Sequence, residues 1–443
     1  MDELGNGKEL VTVPLDNNVP TWTFPTQSGI KTSPVISLDK TTIYFGSLDQ
    51  YVYAIKISDG SMVWRYNIGQ TPMNNSPVLS LDDTLLMIGT SGPSGRMYAI
   101  QTSDGTLSWS YGVNNGFNHP VLSLDGTMVY VGSWSYRLYA LKVDDGSEQW
   151  NYVAGDGTAA GGQYNGMYVY YPMLSLDGET IFVGADDNQL HAVRALDGVG
   201  VWKSPTGSGN SIHNGKVFEA VKKKTALSLD GLTIFIMNQK SELHSIQTAS
   251  GTLNWFIKLS GTGGSGVLLS QDGLSLFVAS QGNFFSVKTS NGDIQWTYED
   301  GDNYQDSTST NAPAALSKDG ATLYVGNYDQ KLRALKVSDG SLMWSFQATG
   351  KTANTPVLSK DGTSLFFGSG SDVYQLYALP LVGGYHPGTL ERIVDDILGT
   401  DDSKKDAAIT KYGLIKNWDV SEVTNMDNLF NGVNTIVKEL IFQ

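Results

Sequence analysis

A four-strand unit recurs along most of this chain, and it limits the possible folds more than any other feature of the sequence. The clearest copy covers residues 311–346 and contains four short apolar runs separated by turn signals. The pairs Asp319-Gly320 and Asp339-Gly340 are strong hairpin signals, because glycine adopts a positive φ without steric cost. Alternating β-branched and aromatic residues, in runs too short for helices, indicate strands. The unit is therefore predicted to be a four-stranded antiparallel meander.

Two independent markers give the number of units. The aspartate of the first turn occurs eight times, 42 to 53 residues apart, at Asp39, Asp82, Asp125, Asp177, Asp230, Asp272, Asp319 and Asp361. A tryptophan marks the fourth strand and also occurs eight times, at Trp22, Trp64, Trp109, Trp150, Trp202, Trp255, Trp296 and Trp344. Since Trp22 precedes the first unit and the last unit lacks its tryptophan strand, the N-terminal strand should complete the last unit. This pattern predicts an all-β, eight-bladed β-propeller of four-stranded blades, closed by the N-terminal strand.

The recurring tryptophans are interpreted as structural residues. A buried tryptophan removes roughly 150–250 Å² from water. One such residue per blade, always at the same position, is best explained as the side chain that packs each blade on its neighbour. A ligand site would occur once rather than eight times.

The repeat has a recognisable family pattern. Residues 130–150 read YVGSWSYRLYALKVDDGSEQW, and residues 324–344 follow the same pattern. This is similar to the repeat of the quinoprotein-like propellers, which are named after the pyrroloquinoline-quinone alcohol dehydrogenases, and the resemblance covers residues 21–381. It implies the propeller fold. It leaves the activity open, because the same repeat also builds non-enzymatic scaffold propellers.

Composition limits the partners of the chain. The net charge is −15 and the pI is about 4.7, which argues against nucleic acid and anionic membrane surfaces. There is no cysteine, and no apolar run is long enough to span a membrane. Only 16% of the residues are charged, and this composition favours an extracellular or cell-surface location, with the cytoplasm as the alternative.

Topology separates the loops into two sets. The turns after the first and third strands, which are Asp-Gly in most blades, lie on one face, here called the turn face, and the variable loops lie on the opposite loop face. Function is expected on the loop face, because a rigid scaffold holds loops that are free to vary. The candidate binding residues there are Arg96, His119, Trp134, Tyr136, Arg137, Asp186, Asp187, Tyr328 and Asp329. Trp134, Tyr136 and Tyr328 would serve a glycan-binding propeller, which is one alternative.

No cofactor is expected, and calcium is the one metal considered. A quinone enzyme needs a divalent ion held by carboxylate and amide oxygens, and many alcohol-oxidising members also carry an adjacent cysteine pair, which is absent here. The acidic segment 299–306 could hold Ca²⁺ through Asp300, Asp302 and Asp306, although it lacks the twelve-residue spacing of an EF-hand. A quinone- or metal-dependent oxidoreductase is therefore the second alternative.

The chain divides into a lead-in (1–20), the propeller (21–384) and a C-terminal tail (385–443). The tail is predicted to be a small α/β unit with an amphipathic helix at Thr389–Leu398. Its segment 418–430 resembles a single copy of a WDVS surface repeat, found in bacterial lipoproteins and microalgal proteins. One solenoid unit cannot bury its own apolar face, so we expect either that the tail docks on the propeller or on a neighbouring chain, or that the native protein continues with further units. The favoured function is a non-enzymatic protein-binding or assembly scaffold.

Overall fold

The computed structural model describes residues 12–14, 20–72, 75–92, 94–113, 116–154, 169–206, 224–261, 263–299, 314–327, 329–352, 354–370 and 374–383. Two compact units are distinguished, residues 20–379 and a second unit formed by residues 1–19 with 380–443. The tail, Tyr328 and the three aspartates of the proposed calcium loop lie outside the described residues.

Residues 20–379 form an eight-bladed β-propeller, as predicted. Each blade is an antiparallel sheet; the strands of blades one to seven follow one another in chain order, and the last blade also includes the strands of the N-terminal part of the chain. Two strands precede the first blade, β1 (Thr12–Pro14) and β2 (Trp22–Pro25). The strands of blades one to four are β3 (Val35–Ile36), β4 (Thr42–Gly46), β5 (Tyr51–Lys56), β6 (Met62–Asn67); β7 (Val78–Leu79), β8 (Leu85–Gly89), β9 (Arg96–Gln101), β10 (Leu107–Gly112); β11 (Phe117–Leu122), β12 (Met128–Ser133), β13 (Arg137–Lys142), β14 (Glu148–Val153); β15 (Val169–Leu174), β16 (Thr180–Ala185), β17 (Gln189–Arg194) and β18 (Gly200–Pro205).

Blades five to eight repeat the same order. Their strands are β19 (Ala226–Leu227), β20 (Thr233–Met237), β21 (Glu242–Gln247), β22 (Leu253–Lys258); β23 (Leu268–Leu269), β24 (Ser275–Ser280), β25 (Asn283–Lys288), β26 (Ile294–Tyr298); β27 (Ala315–Leu316), β28 (Thr322–Gly326), β29 (Lys331–Lys336), β30 (Leu342–Gln347); β31 (Val357–Leu358), β32 (Ser364–Gly368) and β33 (Gln375–Gly383).

The N-terminal strand completes blade eight, which confirms the predicted closure. β2 pairs antiparallel with β33, with Trp22 opposite Ala378 and Pro25 opposite Gln375. The lead-in also contains a strand that the sequence reading did not anticipate, since β1 pairs with Leu381–Gly383. Its residues Thr12 and Val13 are β-branched and suit a strand.

The recurring tryptophans pack each blade on the next one. Among the described residues, seven of them donate the indole N–H to a backbone carbonyl of the following blade at 2.7–3.1 Å, from Trp22 to Ile57 through Trp296 to Val337. The same seven rings lie over glycines in the second turn of the following blade. A Cβ atom on Gly60 would lie 2.7 Å from the Trp22 ring, and one on Gly340 would lie 2.5 Å from the Trp296 ring. Tryptophan and turn glycine therefore recur together because they form one contact.

Candidate functional site: a cleft between blades two and three

Two of the candidate residues on the loop face meet in one cleft. Arg96 and Arg137 are the first residues of the third strands of blades two and three. They line a cleft of about 640 Å³, whose other lining residues are Ser94, Gly112, Val113, Ser135 and Tyr139. The repeat places equivalent positions of neighbouring blades side by side, and this brings two arginines together although they are far apart in sequence.

The two guanidinium groups keep unused hydrogen-bonding capacity. Arg96 Nε donates to Ser110 Oγ at 3.3 Å, and the Arg137 guanidinium donates to the Asn151 side-chain oxygen. Within the described part of the chain, neither arginine has a carboxylate within ion-pair distance, whereas Arg194 pairs with Asp197 at 2.6 Å. A guanidinium carries five N–H donors in a fork that fits a carboxylate. The cleft therefore concentrates positive charge on a chain whose net charge is −15.

Gly112 keeps the cleft open. It lies three residues after Trp109 and opposite Arg96 in the strand pairing, and a Cβ atom there would lie 3.1 Å from Arg96 Nη1. The residue at the same place in the other seven blades has a side chain: Pro25, Asn67, Val153, Pro205, Lys258, Glu299 and Gln347. An alignment of the eight blades shows glycine at this position in blade two alone, and this was the signal in the sequence that could have located the cleft.

Asp187 and Asp329, which were predicted to face a partner, are engaged inside their own blades. The Asp329 carboxylate accepts two hydrogen bonds from the Arg333 guanidinium and one from the Lys331 backbone N–H. The side chains of this ion pair are only 5% and 3% exposed. Asp187 lies 3.0 Å from His191 Nε2. The same spacing joins Asp49 to Tyr53 in blade one, where the phenol donates at 2.8 Å, so an aspartate paired with the residue four positions later recurs in blades one, four and seven.

The remaining candidates lie elsewhere on the described surface. His119 stacks on Tyr171 with ring centroids 3.9 Å apart, at equivalent positions of blades three and four. Trp134 donates its indole N–H to the Asn118 side-chain oxygen at 3.0 Å and is half-buried. Tyr136 adopts a left-handed backbone conformation with φ 69°, and Asp186 accepts a hydrogen bond from the Tyr170 hydroxyl. None of these four residues lines the cleft.

Blade five has a histidine like that of blade four but lacks the paired aspartate. His244 occupies the place of His191, but the residue four positions earlier is Lys240 instead of an aspartate. His244 is 4% exposed, and neither ring nitrogen has a hydrogen-bond partner among the described groups. The nearest carboxylate oxygen, on Glu242, is 3.8 Å from Nε2. In blade four, by contrast, both nitrogens of His191 have partners, Asp187 and the Tyr152 hydroxyl.

This contrast predicts opposite effects for one substitution. His244→Phe should stabilise the propeller by about 1 kcal/mol, because it replaces an unsatisfied buried polar ring with an apolar one. Blade six already carries Phe285 at this position. His191→Phe should destabilise it by about 1–3 kcal/mol, since Asp187 and Tyr152 lose their partner. Chemical denaturation gives the free energy of unfolding of each variant. Equal changes in this free energy for His244→Phe and His191→Phe would contradict the interpretation that only His191 is paired.

Comparison with known proteins assigns the family. The model of the family described as outer membrane protein assembly factor BamB matches residues 48–223 and 216–378. The chain belongs to this family. A curated relative, BamB of Xanthomonas campestris pv. campestris, is 26% identical over 193 residues. That match covers 44% of this chain and 45% of the relative, so it spans less than half of the relative's length.

Solved structures share the fold of this BamB-family chain. BamB from Moraxella catarrhalis has a TM-score of 0.64 at 17% identity, and the match covers 83% of this chain and 100% of that one. The quinohemoprotein alcohol dehydrogenase ADHIIG from Pseudomonas putida HK5 also has a TM-score of 0.64, at 13% identity, with 85% and 81% covered. The computationally designed protein Ika8 has a TM-score of 0.59 at 12% identity, with 80% and 97% covered. At these identities the likeness concerns the fold, which an assembly factor and a dehydrogenase share.

The described residues contain no helix long and apolar enough to cross a membrane. The sequence match to the WDVS repeat falls in the tail, outside both the described residues and the part of the chain that the family model matches.

Proposed function

We propose that this chain is a non-enzymatic scaffold that binds an acidic segment of a partner protein in the cleft between blades two and three, within an assembly at the cell surface or outside the cytoplasm. The observation that carries the proposal is the pair Arg96 and Arg137 in an open cleft of an otherwise acidic chain, where neither forms an ion pair with a carboxylate of the described residues. The family description, an assembly factor, supports a scaffold role.

The cleft suits a carboxylate-bearing polypeptide. Two guanidinium groups can each donate paired hydrogen bonds to a carboxylate. The hydroxyl groups of Ser94 and Ser135 add neutral donors, and Val113 and Tyr139 supply apolar surface beside them. Strands anchor the arginines, so the partner meets a preorganised site and little ordering entropy is lost on binding.

Photo-cross-linking tests where the partner binds. A photoreactive residue at Ser94, in the cells that naturally express the chain, should give a specific cross-linked species, and one at exposed Val201 on blade four should not. Arg96→Glu/Arg137→Glu should abolish that species, because it reverses both charges of the cleft. Lys318→Glu/Lys360→Glu makes the same charge change on the turn face and should leave the species in place.

A second variant tests the shape of the cleft without changing its charge. Gly112→Val places a side chain against Arg96 and should also remove the cross-link, while the melting temperature confirms that the blade folds. A cross-link that survives both the charge reversal and Gly112→Val would overturn the assignment of the cleft. Saturable dye-linked alcohol oxidation after addition of pyrroloquinoline quinone and Ca²⁺ would overturn the non-enzymatic part of the proposal.

A further inference from the structure

The turn face carries an arc of exposed leucines. The residue before the aspartate of the first turn is leucine in each of blades one to five, and these side chains are 53–62% exposed. The members of this leucine arc are Leu38, Leu81, Leu124, Leu176 and Leu229. Leu232 and Leu274, which are 65% and 64% exposed, lie in the same turns of blades five and six. Exposed apolar surface that continues over neighbouring elements is a mark of interaction sites.

Packing between blades explains why a side chain at this turn position covers the next blade, but it does not explain why that side chain is leucine. Leu81, for example, lies over Gly126 in the next blade, where a Cβ atom would be 2.7 Å from its side chain. In blades six to eight the same position holds Gln271, Lys318 and Lys360. Gln271 covers Gly320 and donates to the Ser317 and Lys318 carbonyls at 3.2 and 3.1 Å. Lys360 donates to the Leu38 carbonyl at 3.3 Å. Since polar side chains make this contact equally well, the apolar character of blades one to five has a different origin.

Carboxylates accompany every leucine of the arc. Each is followed by an exposed aspartate, at Asp39, Asp82, Asp125, Asp177 and Asp230. A hydrogen bond from the serine two residues earlier, together with a backbone N–H, holds the pKa of these carboxyls below its usual value. The arc is therefore an apolar surface bordered by fixed negative charge. In blades seven and eight the same position carries the positive charges of Lys318 and Lys360, each next to its own turn aspartate, and Lys360 adjoins Leu38 at one end of the arc.

We propose that the leucine arc is a second interaction surface, which binds a polypeptide segment with aliphatic side chains interspersed with lysine or arginine. The aliphatic groups pack on the leucines, and the basic groups pair with the turn aspartates. Lys318 and Lys360 repel such a segment and confine it to blades one to five, so that attraction and repulsion together define its place. A second copy of this chain fits less well, because both copies would bring aspartates to the contact and each carries a net charge of −15.

The variant Leu81→Gln/Leu124→Gln/Leu176→Gln tests the surface in the intact chain. Glutamine fills this position in blade six, so the melting temperature should change little. The probe is a fluorescent synthetic peptide of alternating leucine and lysine pairs, followed by anisotropy. Its affinity for the triple variant should be at least tenfold lower than for the parent. The matched control, Leu107→Gln/Leu253→Gln/Leu342→Gln, removes three leucines that are 42–46% exposed on outer strands and should bind within twofold of the parent.

Two results would overturn the proposal. One is that the arc variant binds the peptide no more weakly than the outer-strand control does. Equal loss in both would mean that the peptide binds any exposed leucine, and no loss in either would mean that only the overall charge attracts it. The other is a parent dimer in light scattering that the arc variant abolishes, which would assign the surface to a second copy of the chain. Binding of an otherwise identical leucine–glutamate peptide with the same affinity would contradict the role of the aspartates.

Discussion

Removal of residues 1–26 is expected to lower the melting temperature by about 10 °C or more, or to cause aggregation. The deletion removes β2, which forms the outer strand of blade eight against Gln375–Ala378. It also removes the Trp22 hydrogen bond to the Ile57 carbonyl in blade one, at 2.8 Å. Loss of a large packed aromatic side chain costs about 3–5 kcal/mol, and about 2–4 °C of melting temperature follows each kcal/mol in larger domains. The strand edge that remains is open to pairing with other chains.

A shorter deletion serves as the control for ring closure. Removal of residues 1–19 takes away β1 but leaves Trp22–Pro25 in place, so it should have a much smaller effect than removal of residues 1–26. Differential scanning calorimetry of the two truncated proteins gives the comparison. Equal melting temperatures for the 1–26 deletion and the parent would contradict closure by the N-terminal strand.

The second large effect is expected at the buried ion pair of blade seven. Arg333→Met should destabilise the propeller by about 3–5 kcal/mol, because it leaves the Asp329 carboxylate buried without its counter-charge. In the native chain Arg333 and Asp329 are 3% and 5% exposed and joined by two hydrogen bonds. Removal of both charges in Asp329→Asn/Arg333→Met should recover much of the loss. Denaturant unfolding of Asp329→Asn, Arg333→Met and the double variant gives the coupling energy between the two side chains. If the losses of unfolding free energy in the two single variants simply add up in the double variant, the two side chains are not coupled and the prediction is wrong.

The features that repeat could be predicted from the sequence. Turn glycines, blade tryptophans and alternating strands each specify local structure, and their eightfold recurrence leaves little choice of architecture. The position of Trp22 ahead of the first unit was enough to predict how the ring closes. These features depend on spacing along the chain, which a sequence shows directly.

Features that depend on neighbouring blades were harder to foresee. Arg96 and Arg137 were both candidates, but their cleft depends on the missing side chain at Gly112 in the strand beside Arg96. Asp187 and Asp329 looked like loop charges because their partners, His191 and Arg333, are strand residues. An aspartate followed four positions later by tyrosine, histidine or arginine was the available signal.

The turn face also proved less uniform than its regular sequence suggested. Nothing in the Ser-Leu-Asp pattern of the turns indicates that their leucines remain more than half exposed. Side-chain exposure at a turn depends on how far the next blade covers it, which is a tertiary property. For this reason the loop face alone was considered for binding, whereas the structure provides a surface of interest on each face.

Isothermal titration of the intact chain with an acidic peptide tests the central claim most directly. The probe is a hexapeptide of alternating glutamate and serine with a free C-terminal carboxylate. One peptide should bind per chain, and binding should weaken as salt screens the charges. Arg96→Glu/Arg137→Glu should weaken it by at least about 100-fold, since each of the two charged hydrogen-bonding groups contributes about 1.5–3 kcal/mol. The same affinity in the parent and the double variant would contradict the account of the cleft as the scaffold's binding site.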